Sequence, residues 1–372
     1  MSVDKSKIVV IVGSNPLPNL LVVDNEKPQE VILLYSQQTS NVAKRLRKYY
    51  REAGIETKNV VIRDATDSNR CRAAVTDEMG MYRLDYTGGT KVMSSSIHAE
   101  WSRRGGTPDR ASYVDDRSGL IRFDDGRSVP LKLTADLHSI LRIHGLNPRG
   151  ERFVEPQGPR PEDAAVLARK FLTERESILE LARKIGEKPV NPADYGLKLS
   201  RDLIGDNLER PAFTEWSSFL RGKWLELWVG ELIRQSGFVD KEKVHIGLEV
   251  QIRVSHFELD VVVLHQHRVY VISCTTLTDR NYQQSKMKLF EVMIRARQIG
   301  GSLARAALVA PLGKVTGGDG KVVDRLATLQ QTAAEMWDSA NPPRVFGIDH
   351  MKEWAGLKGS PNLDSLYKWL ES

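Results

Sequence analysis

Residues 258–276, ELDVVVLHQHRVYVISCTT, hold the side chains whose types and spacing could do chemistry. The valine-rich run 258–264 and the alternating run 269–275 read as two strands of a hairpin, turning through His265, Gln266, His267 and Arg268. With Leu264 opposite Val269 across that turn, Asp260 falls opposite Ser273 with both side chains on one face, and Thr275 shares that face. Glu258 lies two residues before Asp260, so two carboxylates at the end of one strand face a polar pair. Such a layout can hold a Mg²⁺ ion for phosphodiester hydrolysis. The second strand, however, offers serine and threonine where such a site would carry a carboxylate and a lysine.

Aspartate is a poor strand former, and burying Asp260 between Leu259 and Val261 is costly without a cation or a hydrogen-bond partner. The alternative is an ordinary charge on an edge strand. His256, His265 and His267 suit turn and surface positions better than a zinc cage, and nothing around Ser273 makes a serine-hydrolase arrangement.

The elements that must position this hairpin belong to a chain of 372 residues, long enough for two or three domains. The net charge of +6 is compatible with a polyanionic partner without demanding one. Two cysteines, Cys71 and Cys274, give no disulfide framework and no metal-ligand spacing, which suits a reducing cytoplasm. No apolar run is long enough for a signal peptide or a membrane span, so a cytoplasmic protein with no membrane partner is expected.

The first third alternates strand, polar loop and helix. Strands are expected at 8–13, 31–35, 57–62 and 81–86, with helices at 41–53 and from about 92. This pattern argues for a Rossmann-like parallel sheet, whose ligands sit beyond the carboxyl ends of the strands. Three polar loops would gather there: 15–19, with Asn15, Pro16, Pro18 and Asn19; 36–39, with Ser36, Gln37 and Thr39; and 87–91, with Thr87, Gly88, Gly89, Thr90 and Lys91. Glycines allow close approach of the backbone, and amides, hydroxyls and a lysine at a helix start suit phosphates. Each loop alone is ordinary turn and cap chemistry; three at equivalent strand ends favour a nucleotide-like ligand. No GxGxxG or Walker pattern is present, which argues against NAD binding and ATP hydrolysis.

The order VGSNPLPNL at 12–20, LLYSQQTS at 33–40 and DYTGGTKVM at 85–93 resembles the CARF domains of CRISPR-associated proteins, in the branch fused to a PD-(D/E)xK nuclease domain. The resemblance implies a homodimer whose CARF pair binds a cyclic oligoadenylate made by type III CRISPR complexes, with cyclic tetra-adenylate ahead of the hexa-adenylate. It assigns the pocket to the loop residues just named, and a two-fold ring across a two-fold axis is a natural match of symmetry. It also implies Mg²⁺ or Mn²⁺ as cofactor and DNA or RNA as substrate in antiviral defence.

Three regions follow: a CARF-type domain at 1–146, a linker with a bridging helix at 147–211, and a restriction-endonuclease-like domain at 212–372. The first closes with a small meander at 111–115, 120–123 and 128–133 and a helix at 136–144. Residues 147–161 are rich in Pro, Gly and charge, and 161–185 reads as one charged amphipathic helix suited to bridging or dimer packing. Thr214 is expected to cap a long helix at 215–235. Its Glu226 is either a surface carboxylate or, as the GKWLE match to the family implies, a residue beside the metal.

The family pattern on the second hairpin strand is hydrophobic–Glu–x–Lys, and here Ser273 and Thr275 stand at those positions. Two repairs are open. Lys286 or Lys288, on a helix at 286–300, could replace the missing lysine, or they could belong to a solvated stripe with Glu291 and Arg295. A metal could instead be held by Glu226, Asp260 and waters. The expectation is therefore a metal-dependent nuclease with Asp260, Glu226, Lys288, Ser273 and Thr275 at its centre. The alternative is a ligand sensor whose degenerate nuclease-like domain binds nucleic acid or a protein.

Overall fold

The computed structural model describes residues 6–185, 191–201, 203, 208–316, 320–337 and 341–371. The chain divides into two compact units. One comprises Met1–Pro148, Gln266–Arg268 and Gln298–Leu303, and the other the remainder from Arg149 onward.

The first unit runs β1 (Lys7–Ile11), α1 (Leu17–Glu26), β2 (Glu30–Ser36), α2 (Ser40–Glu52), β3 (Glu56–Ile62), α3 (Ser68–Ala73), β4 (Arg83–Asp85), α4 (Lys91–Arg103), β5 (Ala111–Asp115), β6 (Leu120–Phe123), β7 (Ser128–Pro130) and α5 (Leu137–Ile143). Its seven strands lie in the order β3-β2-β1-β4-β5-β6-β7. The first five of these are parallel neighbours, and β6 and β7 continue the sheet antiparallel. The β-branched runs of β1 and β2 are buried, as strands covered on both faces must be. The strand order reverses between β1 and β4, which makes the crevice beyond their carboxyl ends the topological switch point.

One helix of this unit departs from expectation. The segment read as a stiff loop at 15–19 leads directly into α1, with Pro16 at its N-cap and Pro18 in its first turn, where a missing N–H costs nothing. Leu17, Leu20, Leu21, Val22 and Val23 are all buried, so α1 has no polar stripe by which periodicity could reveal it.

The second unit continues with β8 (Asn147–Gly150), α6 (Pro161–Thr173), α7 (Arg175–Lys184), α8 (Arg210–Ser218), α9 (Trp224–Gln235), β9 (Val244–Ile252), β10 (Ser255–His265), β11 (Arg268–Cys274), α10 (Tyr282–Gly300) and β12 (Ala304–Val309). It closes with β13 (Lys314–Thr316), β14 (Val322–Asp324), α11 (Arg325–Trp337), β15 (Arg344–Phe346), α12 (Ile348–Trp354) and α13 (Asp364–Leu370). A six-stranded mixed sheet, β15-β12-β11-β10-β9-β8, carries the hairpin β10–β11 at its centre.

The expected linker and bridge are corrected here. Residues 147–150 form the edge strand β8. The single helix at 161–185 is two, α6 and α7, broken at Glu174, whose φ is −136°. Ala164, Leu167, Phe171, Ile178 and Leu181 pack into the same core as Trp216, Trp224 and Trp228, with Phe171 and Trp224 rings 5.2 Å apart. These helices belong to the second core. Of the irregular region expected at 187–211, residues 187–190, 202 and 204–207 lie outside the described residues.

Thr214 caps nothing: α8 begins at Arg210, and the Thr214 hydroxyl donates to the Arg210 carbonyl at 2.9 Å from inside the helix. Between α8 and α9, residues Phe219–Lys223 form a π-helical turn in which Gly222 takes φ +131°. Such turns interrupt helices where a side chain must be re-aimed. Here the residue re-aimed is Lys223.

Candidate functional site

In the first unit the loop after β4 lies directly on the end of β1. A Cβ on Gly88 would fall 2.0 Å from the Ile11 carbonyl oxygen, and one on Gly89, at φ +80°, would fall 2.6 Å from the Ile11 side chain. Only glycines allow that approach. Asp85, fully buried at the end of β4, accepts from the Thr87 backbone N–H at 3.1 Å and from the Ser112 hydroxyl at 3.3 Å. Burial pushes its carboxyl up to about 6. The Thr87 hydroxyl accepts from the Val114 N–H, and Thr90 caps α4 by accepting from the Met93 N–H at 3.1 Å. Lys91 stands exposed in the first turn of α4.

Several residues assigned to the pocket are used internally. Asn19 is fully buried and donates to the Ile11 carbonyl at 2.9 Å, so its side chain fixes the end of β1. Ser36 is buried and bonded to Thr39, with the Ser36 N–H donating to the Thr39 hydroxyl at 3.1 Å. Asn15 accepts from the Leu17 N–H at 3.1 Å, opening α1, and Pro16 is buried behind it. Gln37, Thr87, Gly88, Gly89, Thr90 and Lys91 remain accessible at the crevice, and Pro18 is half-buried.

In the second unit the hairpin brings Asp260 and Ser273 together. The Ser273 hydroxyl donates to Asp260 Oδ2 at 3.0 Å, and the Cys274 backbone N–H donates to the same oxygen at 2.8 Å. Glu258 shares the face of Asp260 by strand alternation. Glu226 descends from the first turn of α9 and is 3% exposed. The centre of the group is Lys223, which the sequence reasoning missed. Its Nζ lies 2.6 Å from Glu226 Oε1, 2.9 Å from Glu258 Oε2 and 4.0 Å from Asp260 Oδ1. Arg152 pairs with the outer side of Glu258. The available signal was the i,i+3 spacing of Lys223 and Glu226 within GKWLE.

Three carboxylates thus converge on two cations. Burial, with the Asp260 charge beside it, holds the Glu226 carboxyl well above the usual carboxylate range. Burial likewise raises Asp260, against the opposing pull of Lys223 and the Cys274 N–H. Burial acts to lower Lys223, but the charges of Glu226 and Asp260 outweigh it and raise the ammonium's pKa. Burial acts to raise Glu258, while Arg152 and Lys223 bring it below its ordinary value.

The other predicted residues stand apart. Thr275 accepts from the Leu277 N–H at 3.3 Å, so its hydroxyl shapes the turn after β11. Lys288 is exposed and pairs with Glu291 at 3.5 Å, reaching Asp260 only through its field. On α10 Leu289, Val292, Met293 and Ala296 form the buried face, and Met287 and Ile294 are exposed. His267, expected at the surface, is buried.

A Mg²⁺-type ion is held by one or two carboxylates and several waters. The donors fit that description: Glu226 Oε2 is buried without a hydrogen-bond partner among the described residues, and Asp260 Oδ1 faces the cluster. Among the described residues no group of three or more His, Cys, Asp and Glu side chains is disposed to hold a metal ion, so an ion here would draw on one or two carboxylates and waters.

Residues 214–316 match the family described as Card1-like, endonuclease domain. No curated protein matches the chain. Among solved structures, the chain is similar to Can2 from Sulfobacillus thermosulfidooxidans in complex with cyclic tetra-adenylate, at 17% identity and TM-score 0.69, covering 99% of this chain and 98% of that one. It is similar to protein VC1899 from Vibrio cholerae at 16% identity and TM-score 0.71, covering 99% and 98%. A type III CRISPR defence DNA nuclease activated by cyclic oligoadenylate matches at 16% identity and TM-score 0.59, covering 90% of this chain and 52% of that one. Identities this low speak to fold. The expected architecture of two α/β domains, the first with a Rossmann-like parallel sheet, is borne out, and the second contains the segment matching the endonuclease-domain family. Among the described residues no helix is long and apolar enough to cross a membrane.

Proposed function

We propose that the chain is a homodimeric, metal-dependent nuclease switched on by a cyclic oligoadenylate, with cyclic tetra-adenylate ahead of the hexa-adenylate, acting in type III CRISPR defence in the cytoplasm. The observation that carries this reading is the convergence of Glu226, Glu258 and Asp260 at the central hairpin, on a segment matching a nuclease family. The activator reading rests on the glycine-lined crevice at the switch point of the first sheet and on the likeness to a protein solved with cyclic tetra-adenylate.

In this reading Glu226 and Asp260 hold a Mg²⁺ or Mn²⁺ ion. When bound, the ion supplies an activated water and neutralises charge developing on the phosphate. The Ser273 hydroxyl and the Cys274 N–H hold Asp260 Oδ2 in place, which leaves Oδ1 to face the cluster. The Arg152 guanidinium beside Glu258 draws its carboxyl toward the ionised form. Lys288, exposed on α10, would assist from outside the cluster as a cation for the phosphate. Ring binding would shift the population of two arrangements of the dimer.

Cleavage of supercoiled plasmid and of RNA, with Mn²⁺ or Mg²⁺ and with or without cyclic tetra- or hexa-adenylate, tests the proposal. Ring-stimulated hydrolysis of either substrate is expected, and none under any condition removes the enzyme. A second reading is favoured by one observation. The second strand carries Ser273 and Thr275 in place of a carboxylate and a lysine, and their hydroxyls bond to Asp260 and to the Leu277 N–H. The chain would then sense the ring and bind nucleic acid or a protein without cutting. Ring binding with unchanged signalling in an Asp260→Ala variant would support it.

A further inference from the structure

The position of Lys223 has a consequence for metal binding, and it rests on the nuclease reading above. A lysine that merely assists catalysis would approach the cluster from one side. Lys223 Nζ instead lies at its centre, 2.6 Å from Glu226, 2.9 Å from Glu258 and 4.0 Å from Asp260. These are the carboxylates that a divalent ion would use. An ion bound by Glu226 and Asp260 would stand within a few ångströms of the ammonium, in a group whose carboxyls are largely shielded from water. Two cations cannot share that space without strong repulsion.

The backbone is built to put the ammonium there. A regular helix from Arg210 through Gln235 would not need a π-helical turn, and a turn with any residue but glycine at position 222 would be strained at φ +131°. A Cβ on Gly222 would also fall 3.1 Å from the Thr276 hydroxyl oxygen, against the segment that follows β11. The turn is thus seated against the end of the hairpin and aims its last residue, Lys223, into the carboxylates. Lys223 keeps part of its side chain exposed, at 30%, on a flexible four-carbon stem. Meanwhile Glu226 Oε2 is buried with no partner among the described residues, an acceptor left over when the ammonium takes only Oε1.

We propose that Lys223 is a tethered cation that occupies the Glu226–Glu258–Asp260 cluster in competition with the divalent ion, and that it swings out when the ion enters. It neutralises the buried carboxylates while the ion is absent and sets the ion concentration at which the site fills. The missing lysine of the second strand, where Thr275 stands, is thereby replaced by a lysine with a different task.

The test uses the full chain and two readouts that need no cleavage. Mn²⁺ binding is measured by titration calorimetry for the wild type and for Lys223→Met, which keeps the stem and removes the charge. The proposal expects Lys223→Met to bind Mn²⁺ at least about tenfold more tightly. Equal or weaker binding by the variant overturns the competition but leaves the metal site standing. Absence of Mn²⁺ binding by either protein at millimolar concentration overturns both this proposal and the metal-dependent reading beneath it. The second readout uses the wild type alone and so does not depend on the variant's folding. Reductive methylation of Lys223, followed by mass spectrometry, is compared without Mn²⁺ and at saturating Mn²⁺. A several-fold rise in modification is expected as the ammonium leaves the carboxylates, and unchanged or reduced modification refutes the displacement.

Discussion

Replacing Asp260 separates its structural role from its chemical one. Its Oδ2 accepts the Cys274 N–H at 2.8 Å and the Ser273 hydroxyl at 3.0 Å, within a buried strand pair. Asp260→Ala leaves the Cys274 N–H without a partner, which costs about 1–3 kcal/mol. Part of that loss is offset, because burial already disfavours the ionised carboxylate. A net loss of about 1–2 kcal/mol follows, or roughly 2–6 °C in the melting of the unit. Asp260→Asn keeps an amide oxygen to accept from the Cys274 N–H and should melt within about 2 °C of the wild type. Both variants remove a charged metal ligand, and ring-stimulated cleavage should fall at least about a hundredfold in each. The assay pairs thermal melting with plasmid nicking in Mn²⁺. An Asp260→Asn protein that cleaves within threefold of the wild type refutes the ligand assignment. An Asp260→Ala protein that melts with the wild type refutes the anchoring of Cys274.

Asp85 links pH to the stability of the first unit. Its folded pKa of about 6 lies above the ordinary 3.8, so its contribution is fully present below about pH 4 and is lost as pH rises through 6. Asp85→Asn should therefore gain on the wild type by up to about 3 kcal/mol between pH 4 and pH 7.5 in urea unfolding. Gly88→Ala would force a methyl against the Ile11 carbonyl, and calorimetry should show cyclic tetra-adenylate binding lost together with a lower melting temperature. Gly222→Ala, at φ +131°, should cost about 1–3 kcal/mol in unfolding experiments and weaken the hold of Lys223 on Glu226.

Much of the fold was legible because its buried parallel strands are β-branched runs, as at Ile8–Ile11 and Val31–Leu34, and these have few other ways to be buried. Helix α1 was not, because it is apolar on nearly every side and opens with prolines that also punctuate loops. The break at Glu174 was hidden because its charged neighbours suit either one helix or two. At the candidate site, facing strands brought Asp260 and Ser273 together as strand alternation requires. Lys223 was missed because an unbroken helix was assumed across Gly222, and a π-helical turn changes which way the next side chain points. Asn19 had the chemistry of a ligand contact, but only the fold shows its amide turned inward onto Ile11. Side-chain type indicates what a residue can do; its direction depended here on backbone irregularities that pattern does not reveal.

The central claim is that the carboxylates of the hairpin and α9 form a divalent-ion centre. Crystals grown with cyclic tetra-adenylate and soaked in Mn²⁺ test it most directly, by anomalous scattering. The account predicts a Mn²⁺ peak bound to Asp260 and Glu226, with Lys223 turned away from them. Saturating Mn²⁺ with no peak, and Lys223 still bonded to Glu226 and Glu258, would contradict it.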